Sequence, residues 1–313
     1  MHERALERLA ADDSGIDRAV ELLRAGALVA VPTETVYGLA ARADRADSIA
    51  EIYRAKGRPD FNPLIVHVAD LAQARTLARF DDRAEALAAR LWPGPLTLVL
   101  PLAAGNAVVP AVTAGLPTIA LRMPDHPVMQ RLLAALRLPL AAPSANRSGA
   151  ISPTSSSHVE QSLAGRIDAL LDGGTCGRGV ESTIVALRDN GTWQVLRPGP
   201  IARADLAASL GPPESGGAGS IEAPGQLASH YSPGKPVRMG AQEAESDEFM
   251  IGFGAVSGAC TLSPSGDLAA AAARLYACLH HAAAAPEPRI AVAPIPCNGI
   301  GEAINDRLRR AAA

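Results

Sequence analysis

Four polar segments rich in Gly and Pro interrupt an otherwise apolar chain, and each carries groups suited to an anionic or polar ligand. The first, Pro32-Thr33-Glu34-Thr35-Val36-Tyr37-Gly38-Leu39, closes an apolar run of strand length, the place where open α/β sheets hold ligands. The hydroxyls of Thr33 and Thr35 could bind a polar substrate there or cap a strand-to-helix turn. The second is Lys56-Gly57-Arg58-Pro59, followed by Asn62-Pro63 and then by His67 in an apolar strand, LIVHV. Lys and Arg around a Gly suit a phosphate: the backbone can approach, lysine supplies a point charge and arginine a planar fork. Both cations are expected to be partly exposed, and the plain alternative is a solvated basic turn. His67 on its own reads first as a satisfied core residue.

The third segment is residues 142–149, APSANRSG, continuing to Ser152-Pro153-Thr154. Hydroxyls, an amide and free backbone N–H groups are what a triphosphate or adenylate needs. No G-x-S-x-G elbow is present, so the segment does not point to a nucleophilic serine. The fourth joins Asp172-Gly173-Gly174, Gly177, Gly179, Glu181-Ser182-Thr183 and Arg197-Pro198-Gly199. Glycines entering a strand allow close approach of a ligand.

The elements that must position these segments alternate irregularly. Apolar runs of strand length fall at 27–33, 64–68, 96–102, 118–123, 138–142, 169–171, 183–187 and 192–196, and helical patterns at 16–25, 49–54 and 126–136. Ser14 with Asp17 predicts the first N-cap. Several strands follow one another without a helix between, which predicts a mixed, twisted α/β sheet. Residues 211–225, GPPESGGAGSIEAPG, read as a linker. Beyond it, strand at 249–255, helix at 268–283, strand at 289–295 and helix at 302–311 predict a small Rossmann-like unit. Its Gly252 and Gly254 do not form G-x-G-x-x-G, so no dinucleotide is assigned. The core is expected to be complete before the linker, so that a chain ending near Leu210 would still fold.

Composition narrows the function. Apolar residues make up 48% of the 313-residue chain and aromatics only 3%, so the core is built from Ala, Leu, Val and Ile. A net charge of −3 without a basic run, and few aromatics for stacking, argue against a protein whose task is gripping nucleic acid. No run of about 20 apolar residues predicts a membrane span. Cys176, Cys260, Cys278 and Cys297 form no CxxC pair. They are expected to be free thiols of a cytoplasmic protein, without a structural metal site.

In order and spacing, PTETVYGL, KGRP with NPLIVHV, WPGPLTLVL, TIALRMPDHP, PLAAPSANRSG with SPT, DGG with GVESTIV, and LRPGPI resemble the YrdC-like family. HYSPGKP and the tail GIGEAINDRLRRAA resemble its long, two-domain form, the threonylcarbamoyl-AMP synthases. The resemblance implies a twisted mixed-sheet catalytic domain over 1–210, a linker over 211–235 that closes over the active site, and a small Rossmann-like α/β domain over 236–313. It implies a nucleotidyltransferase that combines L-threonine, bicarbonate and ATP into threonylcarbamoyl-AMP and pyrophosphate for tRNA modification. Downstream proteins would transfer the threonylcarbamoyl group; contact of this chain with tRNA is left open. Carried over by motif, Lys56 and Arg58 serve catalysis and, with Asn62, Thr118, Ser144, Asn146, Ser152, Arg197 and Tyr231, bind ATP. Thr35, His67, Arg122 and Ser182 hold threonine, Arg122 being suited to its carboxylate. Mg²⁺ would arrive with ATP, with no protein metal cage and no redox cofactor. Residues 223–232, APGQLASHYS, depart from the family in lacking a basic residue before HYSP.

Overall fold

The computed structural model describes residues 5–214, 221–227 and 230–313; parts of the expected linker, 215–220 and 228–229, lie outside the described residues. The first ten strands are β1 (Glu7–Ala10), β2 (Val29–Val31), β3 (Gly38–Arg42), β4 (Ile65–His67), β5 (Leu96–Pro101), β6 (Thr118–Arg122), β7 (Leu140–Ala141), β8 (Ala169–Asp172), β9 (Thr183–Leu187) and β10 (Trp193–Arg197). They form one sheet in the order β1-β8-β2-β3-β7-β4-β6-β5-β9-β10. It is mixed, as expected: β4 runs parallel to β6 and β5 to β9, whereas β5 and β6 are antiparallel. Strand β11 (Val237–Met239), β12 (Glu248–Gly252), β13 (Cys260–Thr261) and β14 (Arg289–Val292) make a second, all-parallel sheet in the order β11-β14-β12-β13.

Local signals explain most boundaries. The first helix, Asp13–Ala25, is capped by Asp12, whose side chain accepts from Gly15 N, and not by Ser14. Asp12 is the residue with extended backbone, which aims its carboxylate at the free N–H groups. Gly26, at φ 95°, ends that helix in the left-handed conformation. Helix Ala46–Lys56 likewise ends at Gly57, φ 61°, and this turn sends the chain of Lys56 and Arg58 back into the protein. Strand β3, GLAAR, was hidden in the sequence because it contains no β-branched or aromatic residue.

Aliphatic side chains dominate the cores, as the composition requires. The core of the small domain, however, does not belong to it alone. Val36, Ile151 and Val180 of the large domain pack in one cluster with Tyr231, Leu275, Tyr276 and Ile304. The expectation of a complete core before the linker is therefore corrected: a chain ending near Leu210 would leave those large-domain residues uncovered. The cysteine expectation is also corrected for one pair. Cys260 in β13 and Cys278 in helix Leu268–Ala284 form a disulfide, because the helix packs on that strand and brings their Cα atoms to 5.9 Å. Cys176 and Cys297 are free.

Gly179 of the fourth segment makes its close approach to protein and not to a ligand. At Gly179, φ 69°, a Cβ would lie 2.2 Å from the carbonyl oxygen of Ala272 and 2.4 Å from Cα of Ala273. Both belong to helix Leu268–Ala284 of the small domain, whose backbone cannot yield. Gly179→Ala is expected to destabilise the protein by about 1–3 kcal/mol, combining overpacking with a left-handed alanine. Denaturant unfolding measures this; an unchanged midpoint would show that the two domains do not meet there.

His158 and His280 stack across the same seam with ring centroids 3.7 Å apart. Burial, and then the neighbouring imidazoles, push His158 down to about 4, and burial also lowers His280. With folded values below the ordinary 6.5, the unfolded chain takes up protons first as pH falls. Their contribution to stability is full above about pH 6.5 and drains away toward pH 4. Unfolding midpoints are expected to drop over that window, and less so in His158→Phe, which keeps the stack without the proton site. Parallel pH profiles for the two proteins would contradict this.

Candidate active site

Register builds the floor of the site. Ile65 pairs with Ala120 and His67 with Arg122, while Thr97 lies opposite both Arg122 and Ile184. Because side chains alternate along a strand, these residues share one sheet face. Its apolar part, Ile65, Val99, Ala120, Ile184 and Ala186, packs with Leu196 and with Ala223 from the linker region. Its polar part, His67, Thr97 and Arg122, lies at one end. Above this face is a cavity of about 520 Å³, open solvent at its mouth included, lined by Arg58, His67, Arg122, Ser144, Glu181 and Arg197. Pro224, Gly225, His230 and Tyr231 line it from the other side.

The remaining expected site residues stand one layer back and hold these. Thr35 Oγ1 accepts from Arg122 Nη1 at 2.9 Å and shares a hydrogen bond with Thr33 Oγ1 at 2.9 Å. Ser182 Oγ lies 2.7 Å from Thr97 Oγ1 and accepts from Arg197 Nη2 at 3.1 Å. Thr35, His67, Arg122 and Ser182 are thus brought together. His67 is not a satisfied core residue: its buried Nδ1 has no hydrogen-bond partner. Burial, reinforced by the charge of Arg122, lowers its pKa to about 3, so the ring is neutral at working pH.

The other end is cationic. The reading of Lys56 and Arg58 as partly exposed, or as a solvated turn, is corrected: they are 3% and 9% exposed. Lys56 Nζ donates to the carbonyls of Ser144 at 2.6 Å and Asn146 at 2.5 Å. Burial, then the charge of Arg58, pushes its pKa well down. Arg58 donates from Nε to Asn62 O at 3.1 Å and from Nη2 to Pro63 O at 2.8 Å, and burial lowers it to about 10. Arg197 donates to Ser182 O at 3.1 Å and is likewise lowered by burial. Asn146 Nδ2 fastens the third segment through Arg147 O and Ala150 O. The Oδ1 atoms of Asn62 and Asn146 are buried without partners. Thr118 sits apart, half-buried at the opposite end of β6 from Arg122 and outside the cavity lining.

Carboxylates that sequence reasoning passed over complete the site. Glu34 Oε1 lies 2.7 Å from Arg122 Nη2, yet neither Glu34 oxygen meets hydrogen-bond alignment, so the pair is a charge contact only. Glu181 accepts from Ser152 Oγ at 2.6 Å, Tyr276 Oη at 2.8 Å and Arg307 Nε at 2.9 Å. Burial would raise its pKa; the charges of Arg307 and Arg197 and the Ser152 bond outweigh that and hold it at about 2. The one sequence signal for Glu181 was its place beside Ser182 in GVESTIV. Arg307 stood in the tail GIGEAINDRLRRAA, which carried the resemblance but no sign of a place at the site.

Tyr231 has left-handed backbone, φ 64°, and a buried ring. The ring stacks on Tyr276 with centroids 5.6 Å apart and lies under the Arg307 guanidinium at 5.4 Å. Its hydroxyl faces the cavity, 3.3 Å from where a Cβ on Gly225 would stand, and that Cβ would also strike Arg197 at 2.7 Å. Ser232 N donates to Gly149 O at 2.8 Å, tying this strand of chain to the third segment.

The sequence model of the family described as telomere recombination matches residues 21–199. The one described as threonylcarbamoyl-AMP synthase, C-terminal domain, matches residues 201–313. A threonylcarbamoyl-AMP synthase of Bacillus subtilis is 44% identical over 251 residues, 78% of this chain and 72% of that protein. One from Pyrococcus abyssi is 44% identical over 229 residues, 70% of this chain and 66% of that protein. The crystal structure of P. abyssi Sua5 complexed with L-threonine superposes at a TM-score of 0.88 and 34% identity, covering 98% of this chain and 97% of the other. With both halves matched in order and a full-length structural relative sharing the fold, the chain belongs to the threonylcarbamoyl-AMP synthase family, in its long, two-domain form.

Proposed function

We propose that the cavity joins L-threonine, bicarbonate and ATP into threonylcarbamoyl-AMP, releasing pyrophosphate, and so supplies the activated group for threonylcarbamoyladenosine in tRNA. The observation that carries this reading is the cavity's charge. Arg58 and Arg197 line it and Lys56 is buried behind Ser144 of its wall, each hydrogen-bonded to neutral protein groups. Buried cations without counter-ions are costly, and a polyanionic ligand relieves that cost. Arg122, steadied by Thr35, offers a planar fork to the carboxylate of threonine. Neutral His67, whose Nδ1 is without a partner, would meet its polar groups, while Ser182 holds Thr97 and Arg197 behind it.

The threonine amine and bicarbonate give a carbamate with loss of water, and a carbamate oxygen then attacks the α-phosphorus of ATP as pyrophosphate leaves. No covalent enzyme intermediate is required. The chain positions the two reactants over one sheet face and neutralises charge that shifts toward pyrophosphate in the transition state. Arg58 and Arg197 are in place before substrate arrives, so little reorganisation is needed at the moment of reaction. Among the described residues no group of three or more His, Cys, Asp or Glu side chains could hold a metal ion, and the oxygens of Glu181 are already engaged. Magnesium in this proposal travels on the phosphates of ATP. No helix among the described residues is long and apolar enough to cross a membrane; a cytoplasmic enzyme working on free substrates is part of the proposal.

Pyrophosphate and an AMP-containing product are expected only when L-threonine, bicarbonate and ATP are all present; equal pyrophosphate release without threonine would sink the reading. Arg58→Ala is expected to lower kcat/KM for ATP tenfold to a hundredfold, the equivalent of a lost charge-assisted contact of roughly 1.5–3 kcal/mol. Lys56→Ala should in addition lower thermal stability, because it frees two carbonyls inside the protein. Steady-state kinetics beside thermal denaturation separates the two effects, and full activity in both variants would deny the cations a role.

A further inference from the structure

The small domain reaches into the site through one carboxylate. Glu181 stands just before β9, next to Ser182, and lines the cavity. Its two oxygens face two different partners. Oε1 takes the Ser152 hydroxyl, from the third polar segment of the large domain. Oε2 takes Tyr276 from helix Leu268–Ala284 and Arg307 from helix Gly301–Ala312, both of the small domain. Arg307 is 0% exposed and lies on the buried face of its helix, beside Ile304, Asp306 and Leu308. Its other groups are also committed: Nη1 donates to Asp306 at 2.7 Å and Nη2 to Pro198 O at 3.0 Å, in the turn directly after Arg197. The same guanidinium lies over the Tyr231 ring.

Resting on the function proposed above, we infer that Arg307 and Tyr276 are positioning residues of the nucleotide site, acting through Glu181 and Tyr231. The physical need is plain. Glu181 is a carboxylate at the wall of a cavity built for a polyanion. Held on Arg307 and Tyr276, its charge is neutralised and its oxygens are turned to Ser152 and the small domain. Without Arg307 it loses its closest counter-charge, repels a triphosphate and draws on Arg197, the remaining cation near it. The Tyr231 ring would at the same time lose the cation that covers it. The small domain thus supplies the counter-charge that keeps the large domain's site cationic.

The effect should fall on ATP and not on threonine, which lies at the Arg122 end. In the full chain, Arg307→Met is expected to weaken binding of α,β-methylene-ATP at least tenfold by calorimetry, with KM for threonine changed less than threefold. Adding Glu181→Gln removes the stranded charge, and the double variant should recover most of that affinity. A role in folding alone would restore stability in the double variant without this split between the substrates. Should Arg307→Met fail to fold, Tyr276→Phe, which deletes only the hydroxyl on Glu181, should weaken the analogue severalfold. A second readout needs no nucleotide: limited proteolysis should cut near Tyr231 at least fivefold faster in Arg307→Met, or in Tyr276→Phe, than in the unaltered chain. Unchanged analogue affinity in a folded variant, equal losses for both substrates, or unchanged cutting would each overturn the inference. If the unaltered chain makes no threonylcarbamoyl-AMP, the proposed function fails, while the cutting rates still decide whether Arg307 holds Tyr231.

Discussion

Everything in the site follows from positive charge kept away from water. Lys56, Arg58, Arg122 and Arg197 are all buried, and burial first, then the charge of a neighbouring cation, drives the pKa of Lys56, Arg58 and Arg197 down. A folded protein tolerates this only if backbone carbonyls absorb the N–H groups, and that is where most of them go. Lys56 is bonded to Ser144 and Asn146, Arg58 to Asn62 and Pro63, and Arg197 to Ser182. Carbonyls satisfy hydrogen bonds without cancelling charge. The cavity therefore keeps a positive field in a low dielectric, where it acts strongly on a phosphate.

The same bonds assemble the site. The lysine at the end of one helix fastens a loop 88 and 90 residues further along the chain. The arginine at the end of β10 fastens the hydroxyl that meets Thr97 on β5. Carboxylates are admitted only where an arginine neutralises them: Glu34 against Arg122 and Glu181 against Arg307. The second pair crosses the domain boundary, as does the shared apolar cluster of Val36, Ile151 and Val180 with the small domain. Two domains are distinct in their sheets and joined in their interior.

Local chemistry was legible in the sequence, and long-range burial was not. The four polar segments, the mixed order of strands and the small parallel unit all follow from residue type and spacing. Lys56 and Arg58 were recognisable as a cationic pair suited to phosphate, but the burial of Lys56 depends on carbonyls brought from a distant loop, which no window of sequence contains. Arg307 is the sharper case. In RLRR it looks like a helix face in water, and distant partners, Glu181 126 residues away and Pro198 109 residues away, enclose it as an interior residue. Gly179 looked like a place for a ligand and proved to be a place for the Ala272 carbonyl. Cys260 and Cys278 gave no spacing signal because a strand and a helix, and not a motif, bring them together.

The proposed function requires that the buried cations supply most of the affinity for the nucleotide. The direct measurement is a calorimetric series on the unaltered chain with adenosine, AMP and ATP at one salt concentration. Each charge-assisted hydrogen bond to a phosphate oxygen is worth roughly 1.5–3 kcal/mol, so affinity is predicted to climb at least tenfold from adenosine to AMP and again from AMP to ATP. Adenosine and ATP binding within a few-fold of each other would contradict the account.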